Sequence, residues 1–297
     1  MLFSKLSGAE KRVKLRDRLA GNEILRAPGA FSPLVAMEIE SQAFDAVYVS
    51  GAVLAADLGL PDIGFTTLSE VLTRAEQIAR VTDLPTIVDC DTGFGEPMNV
   101  ARTVRIAEER GIAALHLEDQ VNPKRCGHLD GKSVVPVEEM LRRVKAAVDS
   151  RRDANMLIIA RTDAREVEGL DRMIERSNKY AEAGADVIFA EALHCADDWT
   201  RAIAEIDAPL LANMTEFGKS RLLSAGELEA LGVSFVIYPV STLRAAMKAA
   251  SDLLAEIAAT GSQREVIGRM QSREDLYELL RYADYNRYDQ GLYNFKL

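Results

Sequence analysis

The segment LPTIVDCD, residues 84–91, is apolar through its middle and ends on two aspartates. A short continuous apolar run of this kind is typical of a strand buried on both faces of a parallel sheet. Segments with apolar residues at helical spacing, such as MNVARTVRIAEERG, separate it from the next such run. Seven other runs share its form: ILRAPGAF (24–31), DAVYVSGA (45–52), AALHLED (113–119), NMLIIARTD (155–163), DVIFAEA (186–192), PLLANMTE (209–216) and FVIYPVS (235–241).

Eight strands alternating with helices are the number that a (β/α)8 barrel requires, and 297 residues accommodate one barrel of about 250 residues with extensions. The competing α/β architecture is a doubly wound open sheet, which more often has a glycine-rich phosphate loop after its first strand. The segment APGAFSP is not such a loop. We therefore predict a TIM barrel as a single domain over 1–297, with a C-terminal amphipathic helical extension at 262–297.

Composition excludes several classes of function. A net charge of −10 argues against a nucleic-acid partner, and no apolar run approaches the roughly 20 residues that span a bilayer. The N-terminus lacks the continuous apolar segment of a secretory signal. The cysteines, Cys90, Cys126 and Cys195, are few and odd in number, which fits a reducing compartment and not a disulfide framework. These features predict a cytoplasmic protein without a membrane partner.

Polar side chains end most of the predicted strands, often as pairs two residues apart that point to the same side. They are Tyr48 and Ser50, Asp89 and Asp91, Glu118 and Asp119, Arg161 and Asp163, Glu191, and Asn213 and Thr215. One such residue can simply cap the following helix. Because the pattern recurs on six strands, and the active site of a barrel lies at the carboxyl ends of its strands, we interpret the group as a functional cluster.

The carboxylates of this group predict a metal site. Asp89 and Asp91 share one side of a strand end, Glu118 ends the next strand, and Asp62 lies in the loop GLPDIG. Oxygen donors with no imidazole nearby suit Mg²⁺ or Mn²⁺. The alternative is a network in which these carboxylates pair with Arg161 or Lys124.

The loop NPKRCGHLDGK, residues 122–132, follows the fourth strand and contains Cys126. Lys124, Arg125 and His128 surround the thiol with positive or potentially positive charge, which favours a reactive thiolate. An isolated cysteine is more often an inert packing residue, and we give Cys90 and Cys195 that interpretation.

The motifs YVSG, GLPD, VDCDTGFG, NVARTV, HLEDQ, KRCGH, ARTDA, EGLD, ANMTEFG and MQSREDLYE occur in this order between residues 48 and 279. In that order they resemble the carbon–carbon lyases of the isocitrate lyase and phosphoenolpyruvate mutase superfamily. The resemblance implies a Mg²⁺-dependent cleavage of a small tricarboxylate, (2S,3R)-2-methylisocitrate, to pyruvate and succinate, as in the methylcitrate route of propionate catabolism.

The resemblance also implies roles for individual residues. Asp89 and Asp91 hold the metal, with Asp62 and Glu118 farther out, and Cys126 acts as the general acid. The base that takes the hydroxyl proton stays open among Tyr48, His128 and Glu191. The substrate contacts implied are Ser50, Gly51, Ala52, Cys126, Gly127, Arg161, Glu191, Asn213, Met214, Thr215, Arg244 and Arg273. Relatives often read SGG where this chain reads SGA, so Ala52 departs from the pattern.

Barrels of this group exchange C-terminal helices between subunits, so the resemblance implies a homotetramer.

Isocitrate lyase, dimethylmalate lyase and oxaloacetate hydrolase activities remain alternatives because enzymes with these activities share the cysteine loop. A degenerate barrel that only binds a ligand is the non-enzymatic alternative. By resemblance, Phe189, Ile237 and Pro239 lie where the substrate's methyl group is accommodated.

Overall fold

The computed structural model describes residues 4–127 and 131–294. Within them, every one of the eight predicted apolar runs contains a strand, and all eight strands belong to one sheet. Each strand pairs in parallel with its neighbours. The strands are β1 (Leu25–Pro28), β2 (Val47–Val49), β3 (Thr86–Asp89), β4 (Ala114–Glu118), β5 (Leu157–Thr162), β6 (Val187–Ala190), β7 (Leu210–Asn213) and β8 (Phe235–Tyr238).

The sheet closes into a ring. Sequential strands are neighbours from β2 to β8, and β8 then pairs with β1. Between β1 and β2, Gly29 forms a parallel bridge with Tyr48, and the Ala30 amide donates to the Tyr48 carbonyl at 2.8 Å. The predicted (β/α)8 barrel is therefore confirmed, and the carboxyl ends of all eight strands meet at one mouth.

Helices connect the strands, and several begin at a side chain that caps their first free amide groups. Ser7, Thr67, Ser224 and Ser272 each form a capping box with an acidic residue three positions later. The helices are α1 (Gly8–Leu19), α2 (Pro33–Ser41), α3 (Gly51–Asp57), α4 (Leu68–Ala79), α5 (Pro97–Glu109), α6 (Val137–Ser150), α7 (Ala164–Val167), α8 (Leu170–Glu182), α9 (Ala196–Glu205), α10 (Ala225–Leu231), α11 (Ser241–Thr260), α12 (Arg273–Leu279) and α13 (Tyr282–Tyr293), with a 3₁₀ turn at Arg264–Arg269.

The core has two layers because both faces of each strand are buried. Side chains that point into the ring, including Leu25, Ile87, Ile159 and Phe235, fill the barrel interior. Side chains that point outward pack between the sheet and the surrounding helices, as Val88 and Leu115 do. This filled interior leaves the mouth as the place where polar side chains of different strands approach one another.

The C-terminal region differs from the rest of the barrel. The helices α11, α12 and α13 contain no buried residue, although α12 contacts α2 of the same chain. The predicted extension at 262–297 is helical as expected within its described part, and the unburied region begins earlier, at α11. Among the described residues, no helix combines the length and apolarity needed to cross a bilayer.

Candidate active site

Arg161, on β5, joins the polar ends of several strands. Its guanidinium donates to both oxygens of Asp163, at 2.9 and 3.1 Å. It also lies 3.2 Å from a Glu118 oxygen and 3.6 Å from a Glu191 oxygen. Burial opposes the charge, but these carboxylates outweigh it and hold the pKa of Arg161 well above its usual range. The side chain is therefore a fixed positive charge at the centre of the mouth.

The backbone of the cysteine loop rests directly on this centre. A β-carbon built on Gly127 would lie only 2.2 Å from Arg161 Nη2 and 2.2 Å from Glu191 Oε1, so any side chain there would displace one of these groups or the loop. Asn213, at the end of β7, donates its amide to the Glu191 carboxylate at 3.3 Å. Cys126 is half-buried beside Gly127. The structure thus brings the thiol-bearing loop together with Arg161, Glu191 and Asn213.

An acidic pocket lies at the ends of β3 and β4. Asp89 accepts from the Gly51 amide at 3.0 Å and from the Asp91 amide at 3.1 Å. Asp91 has a φ of +46°, a left-handed conformation that is unfavourable for a non-glycine residue. Lys124 pairs with Asp91 at 2.8 Å and with Asp62. The structure therefore contains part of the ion-pair network that was the alternative to a metal site.

Burial disfavours negative charge on two carboxyl groups of the pocket. Burial and the charge of Asp89 raise the pKa of Asp91 to about 6. Burial raises the pKa of Glu118 well above its usual range. Burial also pushes the pKa of Asp89 upward, but His116 and Lys124 outweigh it and the pKa is lowered. Lys124 alone does not neutralise the cluster.

The donor set fits a hard divalent cation. Both oxygens of the buried Glu118 lack a hydrogen-bond donor among the described residues, although one lies close to Arg161. In the same part of the chain, no three acidic, histidine or cysteine side chains form a ready-made metal cage. Mg²⁺ needs no such cage, since it retains several waters and binds through one or two carboxylates. Asp89 and Asp91, with Glu118 facing them, would hold it.

His116 is a site residue that the sequence analysis missed. It lies on β4 two residues before Glu118, and its Nε2 is 2.7 Å from the Tyr48 hydroxyl and 3.5 Å from Asp89 Oδ1. Burial lowers the pKa of His116 and raises that of Tyr48 well above its usual range. The premise that no imidazole lies near the carboxylates is therefore wrong. The same two-residue spacing that selected Asp89 and Asp91 would have found His116.

Three predicted substrate contacts follow β2. Ser50 is the N-cap of α3, and its hydroxyl accepts from the Val53 amide at 3.4 Å. Gly51 begins the helix and directs its amide to Asp89. Ala52 is half-buried. The segment lies at the mouth, where Ser50 caps α3, and its contact with substrate stays a prediction.

The remaining predicted contacts form no hydrogen bond or ion pair with Arg161 among the described residues. Met214 is buried and Thr215 half-buried in the loop after β7. Arg244 is exposed in the first turn of α11, where it donates to the Glu216 carbonyl at 2.7 Å. Arg273 is exposed at the start of α12 and has no ion pair with any described residue. Among the described residues of one chain, no ion pair joins Arg273 to the cluster, and His128 lies outside the described residues.

Residues 15–258 match the family model described as phosphoenolpyruvate phosphomutase. The chain belongs to this family. The resemblance inferred from the motifs is therefore confirmed. A family relative from Corynebacterium glutamicum, named probable 2-methylisocitrate lyase 2, is 58% identical over 295 residues, covering 99% of this chain and 96% of the relative.

Solved structures of the family share the fold. The crystal structure of 2,3-dimethylmalate lyase, described as a member of the PEP mutase/isocitrate lyase superfamily, has a TM-score of 0.89 and 32% identity, covering 97% of this chain and 96% of that one. Phosphonopyruvate hydrolase in complex with oxalate and Mg²⁺ has a TM-score of 0.85 and 29% identity, covering 93% and 97%.

Proposed function

We propose that this chain is a Mg²⁺-dependent lyase that cleaves 2-methylisocitrate to pyruvate and succinate. The name of the C. glutamicum relative, at 58% identity over nearly the whole chain, supports the reaction. The observation that carries the proposal is the close approach of Gly127 to Arg161 and Glu191 beside the pocket of Asp89 and Asp91. It puts a thiol, a fixed cation and an acidic pocket at one barrel mouth.

The charges of the site support a metal requirement. Arg161 already faces three carboxylates, those of Asp163, Glu118 and Glu191. These neighbours offset the single positive charge of the Arg161 guanidinium, so the guanidinium alone attracts a tricarboxylate only weakly. Mg²⁺, when bound, supplies the missing positive charge and stabilises negative charge that develops on substrate oxygens. Arg161 would orient a substrate carboxylate.

Two proton transfers are required. The substrate's hydroxyl proton needs a base, and the structure favours Glu191 over Tyr48 for that role. Tyr48 is held as a neutral phenol by its raised pKa and its contact with His116, whereas the Glu191 side chain lies against the Gly127 backbone of the cysteine loop. Cys126 donates a proton to the carbon of the departing succinate, which avoids a free carbanion.

The test is a coupled assay of pyruvate release from 2-methylisocitrate with Mg²⁺. Cys126→Ser should retain the fold and lose about 100-fold or more in kcat, the contribution expected of a general acid. Cys195→Ser, a change at an exposed cysteine, is the matched control and should behave as the parent. Cleavage by Cys126→Ser at the parental rate would contradict the acid assignment, and parental activity in excess chelator would contradict the metal requirement.

Dimethylmalate cleavage is the second candidate because a 2,3-dimethylmalate lyase shares the fold at a TM-score of 0.89. Phe189 bounds the interior of the site, with Arg161 5.0 Å above its ring and His116 edge-on at 5.4 Å. One methyl group contributes only about 1–3 kcal/mol of discrimination, so both substrates must be compared directly. A higher kcat/KM on dimethylmalate than on 2-methylisocitrate would select the second candidate.

We also propose that second copies of the chain cover α11, α12 and α13, in a helix-exchanged homotetramer. The unburied helices carry exposed apolar side chains, among them Met247, Leu254, Tyr285 and Leu292. Exchange would also give Arg273 a route to a neighbouring mouth. Light scattering after size-exclusion chromatography tests this, since a lone species of 32.6 kDa would contradict it.

The cysteines are free thiols, which supports a cytoplasmic location.

A further inference from the structure

Lys132 is a buried ammonium at the far end of the cysteine loop. Only 1% of its side chain is exposed. Its Nζ donates to the Gly127 carbonyl and to Asp163 Oδ1, the latter at 2.9 Å, and lies 3.5 Å from Glu166 Oε2. Removing an ammonium from water is unfavourable, so these partners must compensate for its burial.

The partners of Lys132 belong to the site. Asp163 Oδ1 accepts from Lys132 and also from Arg161 Nη2 at 3.1 Å, while Asp163 Oδ2 accepts from Arg161 Nε at 2.9 Å. The Asp163 amide in turn donates to the buried Asp119 carboxylate at 2.9 Å. One carboxylate therefore orients the guanidinium and anchors the lysine.

A second partner of Lys132, the Gly127 carbonyl, connects the lysine to the thiol-bearing residue Cys126. The Gly127 backbone lies against Arg161 and Glu191 so closely that a β-carbon would overlap both. Its carbonyl is bonded to Lys132, and its chain neighbour is Cys126. A shift of that carbonyl would move the thiol relative to Arg161 and Glu191.

We propose that Lys132 is a positioning residue, which fixes Cys126 over the reacting centre by tying the Gly127 carbonyl to the carboxylate that orients Arg161. The inference rests on the proposed lyase function. Lys132 does not touch substrate. Its removal leaves Arg161 bonded to Asp163, so substrate binding survives while the proton donor is misplaced.

The experiment compares Lys132→Met with Lys219→Met. Lys219 also pairs with Glu166, so its replacement controls for the loss of charge beside Glu166. With Mg²⁺ present, Lys132→Met should lose about 100-fold in kcat, the effect of a misplacement near 1 Å, while KM is nearly unchanged. Lys219→Met should retain the parental kcat. A raised KM at unchanged kcat, or a parental kcat, would overturn the proposal.

A second measurement does not depend on the substrate. Iodoacetamide alkylation of Cys126 is followed by peptide mapping, with the exposed Cys195 of the same molecule as reference. The ratio of the two rates should rise several-fold in Lys132→Met and stay parental in Lys219→Met; an unchanged ratio in Lys132→Met refutes the positioning role. If the parent cleaves no tested substrate, the lyase proposal fails while this comparison still decides the role of Lys132. If Lys132→Met does not fold, Lys132→Gln is measured by both assays under the same criteria.

Discussion

Replacing Asp91 by asparagine should stabilise the metal-free fold while removing function. Asp91 is 5% exposed, and its pKa is raised from 3.8 to about 6 by burial and by Asp89. An acid with a raised folded-state pKa loses stability as the pH rises from its unfolded-state value through its folded-state value. About two pKa units at ~1.36 kcal/mol each correspond to about 3 kcal/mol of destabilisation near pH 8.

The size of the expected shift follows from the chain length. At an unfolding entropy of ~2.1 cal/mol/K per residue, about 3 kcal/mol corresponds to an increase of about 5 °C in Tm for this chain. Asp91→Asn should show this increase near pH 8 in chelator, and the difference from the parent should shrink as the pH falls through 6 towards 3.8. Added Mg²⁺ should raise the Tm of the parent more than that of the variant.

Thermal unfolding followed by circular dichroism measures these effects. Asp149→Asn, at an exposed aspartate of α6, is the matched control and should change Tm little at any pH. An equal or lower Tm for Asp91→Asn near pH 8, with a difference that does not vary with pH, would refute the account of a buried, uncompensated charge.

Three further outcomes are expected. Gly127→Ala should fold but lose about 100-fold in kcat, because its β-carbon would displace the loop from Arg161 and Glu191; parental kinetics would show that this contact does not matter. Tyr48→Phe should lower the free energy of unfolding by about 1–3 kcal/mol, since it leaves the buried His116 Nε2 without its partner; urea denaturation measures this, and an unchanged midpoint would contradict it. Leu254→Glu, at a side chain that is 64% exposed, should reduce the assembled mass seen by light scattering without unfolding the chain; an unchanged mass would argue against an interface at α11.

The barrel could be predicted because its signal is local. Each strand is an apolar run ended by polar residues, and the number of runs together with the helical spacing between them specifies eight parallel units. The clustering of Asp89, Glu118, Arg161 and Glu191 followed from the same argument, because barrel geometry brings strand ends together. Their chemical roles came from the family resemblance and stay predictions.

The parts that sequence reasoning missed depend on side-chain contacts between distant segments. Lys132 lies within the quoted cysteine loop, but nothing in its neighbours indicates that it bonds to Asp163, 31 residues away. The unburied state of α11 was also missed, since an amphipathic helix after β8 has the same pattern whether it covers its own barrel or another one. His116 is different, because its spacing from Glu118 was visible in the sequence.

The absence of buried side chains in α11 bears on how a mutation in this helix of one subunit would affect the other subunits of an assembly. In the homotetramer proposed above, this helix of 20 residues would pack on another copy, and each barrel would then depend on a neighbour's sequence as well as its own. In a cell expressing two alleles, a faulty α11 would weaken normal subunits with which it co-assembles, and dilution of the purified protein would lower its thermal midpoint.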